Sequence, residues 1–154
     1  MSGRYSAAAA TSGINTANSA NFQLRPTGTA TRMYVVEIGM NVSVAPSTAP
    51  SFYLSRSTAI GTVTTTLAGQ PHEPAETAAS GTFDSVFSVQ PTFSTTNRLS
   101  QGGLAVTAGG QLIWTFYDAP IVLAASTTAG LVLVNANASG ATLGTFTAYA
   151  RWDE

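Results

Sequence analysis

The chain has 154 residues, of which 44% are hydrophobic and only 8% charged, with a formal net charge of −1. Six Arg, no Lys and no basic run leave no electrostatic footprint for nucleic acid or for an anionic membrane surface. The absence of cysteine removes disulfides, thiolate nucleophiles and thiolate-bound metals together, so stability must come from packing or from assembly.

Residues 1–30 are rich in Ala, Ser, Thr, Asn and Gly and follow neither the helical nor the strand period. Phe22 and Leu24 are the sizeable apolar side chains of its second half. This region reads as an extended arm ending near Pro26–Gly28, either frayed or lying along a neighbouring subunit. The Ala7–Ala10 run is cut short by Thr11, Ser12 and Gly13, so no signal-peptide core is expected. No stretch approaches the roughly 18 apolar residues of a membrane-spanning helix.

From Thr31 the pattern changes. Tyr34, Val36, Ile38, Met40, Val42 and Val44 alternate with mostly polar neighbours, which predicts a long strand with one buried face. Pro46 and Pro50 end it. Phe52–Arg56 and the Thr-rich Val63–Leu67 read as the next strands. Residues 68–82, punctuated by Gly69, Pro71, Pro74 and Gly81, read as a long loop. Val86–Val89 and Thr92–Ser94 flank Pro91, which predicts an edge strand or a bulge there. Gln111–Tyr117 places Leu112, Trp114 and Phe116 on one face after the Gly109–Gly110 turn. Ile121–Ala124 is short. Leu131–Asn135 is apolar on both faces and therefore central. Thr145–Trp152 alternates Phe146, Ala148, Ala150 and Trp152 with Thr147, Tyr149 and Arg151. Turns at Gly130 and Gly140 separate these runs.

Many short strands with Gly and Pro turns, and no helical period, predict an all-β fold: an antiparallel β-sandwich of jelly-roll type over residues 31–154, preceded by the arm. The immunoglobulin alternative lacks its Cys–Trp–Cys framework.

Groups that could carry chemistry are scarce. His72 is the only histidine. With Glu73 and Glu76 it could in principle bind a metal, but Pro74 breaks any helix that would align them. A hydrolase would need His72 as its base with Asp84 or Asp118 behind it, and no serine sits in a nucleophile elbow. Glu37 reads as an exposed strand residue or as the partner of Arg32 or Arg151 across the sheet. The glycine pairs lack the context and the Lys of a phosphate loop. No catalytic residue, metal or cofactor is therefore expected.

The runs Ile113-Trp114-Thr115-Phe116, Ile121-Val122, Gly130–Asn135 and the closing Ala150-Arg151-Trp152-Asp153-Glu154, together with Thr31–Gly39, resemble small virion proteins encoded among the structural genes of tailed bacteriophages. The resemblance covers residues 31–154. It implies a capsid decoration or cement protein, a jelly-roll, tumour-necrosis-factor-like homotrimer made in the host cytoplasm and seated on the capsid exterior. There it would bind the major capsid protein at threefold or quasi-threefold positions. On that reading Tyr34, Phe116, Tyr149 and Trp152 are candidates for the trimer interface, core packing being the other role open to each. Phe22, Leu24 and Arg25 are candidates for an arm that touches the capsid. The alternative is a trimeric receptor- or glycan-binding head of a tail fibre or spike.

Overall fold

A computed structural model describes residues 3–12, 16–138 and 144–154; the turn expected at Gly140 lies outside them. Among the described residues, twelve strands form two antiparallel sheets packed face to face, a β-sandwich. Sheet I runs β10 (Ile121–Leu123), β3 (Met33–Val44), β12 (Thr145–Asp153), β1 (Arg4–Ser12) and β6 (Gln70–Pro71), with β9 (Gln111–Thr115) also paired to β3. Sheet II runs β5 (Thr62–Ala68), β7 (Gly81–Val89), β2 (Ala20–Pro26), β11 (Gly130–Asn135), β4 (Ser51–Ala59) and β8 (Thr92–Gly103).

Between the sheets lies one apolar core. Its largest fully buried side chains include Trp152, Phe22, Phe52, Phe83 and Phe146. Phe22 stacks on Phe83 with ring centroids 4.5 Å apart, and Phe52 meets Phe146 edge-on at 5.1 Å. Such pairs add about 0.5–1.5 kcal/mol each to the area they bury. The period-2 reading of β12 holds throughout: Phe146, Ala148, Ala150 and Trp152 are buried while Thr147 and Arg151 are exposed.

The period in β3 holds only in part. Ile38, Met40 and Val42 point inward as expected, but Tyr34 is 37% exposed and its neighbours Met33 and Val35 are buried instead. The register against β12 slips between Arg151 and Trp152. One extra residue in β3 inverts the phase of everything before it, because the side-chain period is two. Val44, 57% exposed, lies beyond a second slip of β3 against β12, between Thr145 and Phe146.

The arm expected over residues 1–30 gives way to two strands of the sandwich. β1 pairs along its whole length with β12, and β2 lies between β7 and β11. Phe22 and Leu24 are fully buried in the core, so neither reaches out to another surface. Arg25 is held by Asp84 at 2.5 Å, with the Asp84 side chain wholly enclosed. The composition misled because the inward face of a strand can be built from small residues: Ala7 and Ala9 face the core.

Trp152, expected at an interface, is fully buried and stacks on Tyr5 at 6.2 Å. The residues beside it fasten the fold. Asp153 accepts two hydrogen bonds from Arg4, at 2.7 and 2.9 Å. The Glu154 carboxylate accepts from the Ser80 amide and hydroxyl, the Gly81 amide and the Trp152 indole, all within 2.8 Å. The tail thereby ties the first strand, the last strand and the long loop together.

Candidate functional site

The outward faces of the two sheets are built differently. On sheet II a second apolar cluster of Ala20, Tyr53, Val132 and Val134 is fully buried, with Phe87 and Phe93 packed against it. The chain itself supplies the cover. Arg98 sits 4.3 Å from the Tyr53 ring centroid, and the Tyr53 hydroxyl donates to Asn18 at 3.0 Å. Burial raises the Tyr53 phenol, with Arg98 pulling the other way. Gln23 donates to the Ser57 hydroxyl at 2.7 Å, and Asp84 accepts from Thr66 at 2.8 Å beside Arg25.

Sheet I has no such cover. Its pairing registers line up the outward residues of β1, β12, β3 and the β9/β10 pair in four cross-strand rows. The first row is Arg4, Asp153, Tyr34 and Val122; the second is Ser6, Arg151, Glu37 and Thr115. The third is Ala8, Tyr149, Gly39 and Ile113, and the fourth is Ala10, Thr147, Asn41 and Gln111. Ala8, Ala10 and Ile113 are exposed. A shallow hollow of about 310 Å³ opens beside Tyr149 and Arg151, bordered by Ser6, Ala8 and Gln70.

Glu37 is the polar centre of this face. It is only 7% exposed, which corrects the expectation of a solvated strand residue. Tyr149 donates to one carboxylate oxygen at 2.8 Å and Tyr117 to the other at 2.7 Å, while Arg151 lies at 3.2 Å. Arg151 is one of the two partners expected for it. Burial alone would raise the Glu37 carboxyl, but the two phenols and the Arg151 charge outweigh it and hold it below the usual range. The Tyr149 phenol is pushed up to about 12, first by burial and then by the hydrogen bond and charge of Glu37. Asp153 likewise holds the Arg4 guanidinium above its ordinary value.

Gly39 makes this arrangement possible. A Cβ there would stand 2.4 Å from the Tyr149 ring, so the ring lies flat across the glycine and reaches Glu37. No sequence motif marks Glu37, Tyr117 and Tyr149 as a unit, since they come from three separate segments. The signal that could have found them is register: Gly39 lies opposite Tyr149, and Glu37 opposite Arg151.

Of the expected interface residues, Tyr34 and Tyr149 lie on this open face. Phe116 is partly buried against the core, and Trp152 is inside it. The four charges in the rows form two compensated pairs, Arg4 with Asp153 and Arg151 with Glu37. A neutral, partly apolar face with its charges already paired loses little when it is covered. His72 is exposed, and its backbone amide donates to the Arg4 carbonyl at 2.8 Å. Among the described residues no three His, Cys, Asp or Glu side chains converge on a metal position.

No protein-family model matches the sequence, and no curated protein resembles it significantly.

Proposed function

We propose that the protein is a structural, non-catalytic virion subunit, a capsid decoration or cement protein that trimerises through the open face of sheet I. The observation that carries this reading is the contrast just described: one outer face holds a second buried apolar cluster covered by the chain's own side chains, and the other is left open, charge-compensated and bordered by exposed alanines. Ala8 and Ala10 would let a second backbone approach closely, and Tyr34, Tyr149 and Ile113 would supply anchoring area at low rotamer cost.

The strand order supports a jelly-roll reading. With β5, β6 and β7 set aside as an insertion, the remaining strands alternate between the sheets as β1-β12-β3-β9/β10 and β2-β11-β4-β8. That is the order expected of two Greek keys rolled together. The resemblance of residues 31–154 to phage virion proteins points the same way.

Such a trimer would stabilise a phage shell by binding its outer surface in the assembled state and not its free capsid subunits. Each contact with the major capsid protein is modest, but three copies engage at once and avidity multiplies them. With Arg4–Ser12 and Ala20–Pro26 inside the fold as β1 and β2, these residues are not an arm for this contact, and loops at the ends of the sandwich would provide it. The test is a copy count in purified virions by quantitative mass spectrometry. Hundreds of copies per particle are expected of a cement; a number tied to one tail, or absence from the particle, would overturn the assignment.

A further inference from the structure

Sheet II ends on one side at β5, Thr62-Val63-Thr64-Thr65-Thr66-Leu67-Ala68. The strand pairs with β7 and nothing lies beyond it in the sheet. Its four threonines are all exposed. Proteins normally blunt such an edge with charge, proline, a bulge or brevity, because its unpaired amides and carbonyls invite another strand.

Most of the other edges carry such devices; β6 pairs with β1 only at Tyr5 and Ser6, so the Ala-rich remainder of β1 is also an edge, with no strand on that side. β6 has two residues and ends in Pro71, and β10 has three residues after Pro120. β8 carries Arg98 and breaks register against β4 three times. β9 abuts the opposite sheet, where its Leu112 side chain fills the space over Gly102 of β8. β5 has no charge, no proline and no residue with positive φ; its pairing with β7 slips once, between Thr62 and Val63 at its start. The distortion next to it falls on β7, where the β-branched Val86 adopts a φ of 56° and its carbonyl accepts from the Thr64 hydroxyl at 2.9 Å.

The sequence of β5 is also self-complementary. Turned antiparallel about Thr65, a second copy would place Thr64 opposite Thr66, Val63 opposite Leu67 and Thr62 opposite Ala68; the two inner pairs match in polarity and none is charged. A twofold contact requires this, because every residue i that meets j must also meet it in reverse. Threonine pairs are among the favourable cross-strand neighbours.

We infer that β5 pairs with β5 of a second copy across a twofold axis at Thr65, joining the two sheets II into one continuous sheet. This contact uses the opposite sheet from the trimer face and does not depend on it. Combined, the two contacts would link trimers laterally instead of leaving them as isolated units.

The chain has no cysteine, so a single introduced thiol reports the geometry cleanly. In the full-length protein, Thr65→Cys places two thiols opposite each other with Cα atoms about 4.5–5.5 Å apart, within disulfide reach. Thr62→Cys, six residues from its own copy along the paired strands, leaves the thiols about 20 Å apart. Under mild oxidation Thr65→Cys is expected to double its covalent mass on a non-reducing gel, and Thr62→Cys to stay single. Thr65→Lys, with two ammonium groups on the axis, is expected to reduce the native mass to that of the unlinked unit without lowering the melting temperature. Equal cross-linking at the two positions, or none at Thr65, would overturn the pairing. If the trimer face fails and this contact holds, the thiol dimer still forms from two single copies; if only this contact fails, the trimer persists without a cross-link.

Discussion

Two tyrosines show how differently the outer faces of the sandwich are used. Tyr53, on sheet II, is fully buried under Arg98 and bonded to Asn18. Tyr149, on sheet I, lies flat on Gly39 and stays partly open above Glu37. Both have aromatic rings packed on a strand, both have bonded hydroxyls, and both have phenols raised by burial. The difference is what covers them. The monomer completes one face by itself and stops short on the other, and this incompleteness is what points to assembly.

The largest effects should separate the faces most clearly. Tyr53→Ala should cost the isolated subunit about 3–5 kcal/mol, as for other large buried aromatics. Tyr149→Ala should cost about 1 kcal/mol in the isolated subunit, since its ring is only partly buried, yet abolish the threefold association. Chemical denaturation read beside native mass distinguishes them; equal losses of stability would break the comparison.

Next in size is the ion pair on the covered face. Arg25→Met leaves the enclosed Asp84 carboxylate with Thr66 and no counter-charge, and should destabilise by about 3 kcal/mol. Asp153→Asn, at the exposed pair with Arg4 on the open face, should cost no more than about 1 kcal/mol. Urea titrations of both variants make the comparison; an effect of Asp153→Asn as large as that of Arg25→Met would contradict it.

The smallest effects concern protons. The Glu37 carboxyl is lowered in the folded state, so its contribution is present at neutral pH and is lost as pH falls below the unfolded value of 4.5 through the folded one. Tyr149 is raised, so its contribution is complete below pH 10.0 and is lost between there and about 12. In a spectrophotometric titration of tyrosinate, Glu37→Gln should move this late-titrating phenol back toward 10.0. An unchanged titration would mean that Glu37 does not govern it.

Much of the sandwich was legible from alternation. β12 and β11 follow their sequence patterns residue by residue, because each buries large apolar side chains at fixed parity. β1 was illegible because its inward residues after Tyr5 are alanines, whose burial leaves no contrast with Ser6 and Ala8 on the other face. Tyr34 was placed on the wrong face because a one-residue bulge has no sequence signature. The candidate surface was half legible. Tyr34 and Tyr149 stood out as aromatics, but the Glu37 cluster depends on Tyr117 arriving from a segment 80 positions away. Trp152 looked like an anchor and is one, for its own core.

The central claim is that the uncovered face of sheet I holds copies of this chain together. Sedimentation of the wild type and of Ala8→Lys in parallel tests it most directly, because Ala8 is exposed on that face and supports nothing beneath it. The account predicts a wild type whose mass is a multiple of three chains, and a variant that loses that threefold association with an unchanged melting temperature. A wild type that sediments as a single chain at every concentration, or an Ala8→Lys variant that assembles as well as the wild type, would contradict it.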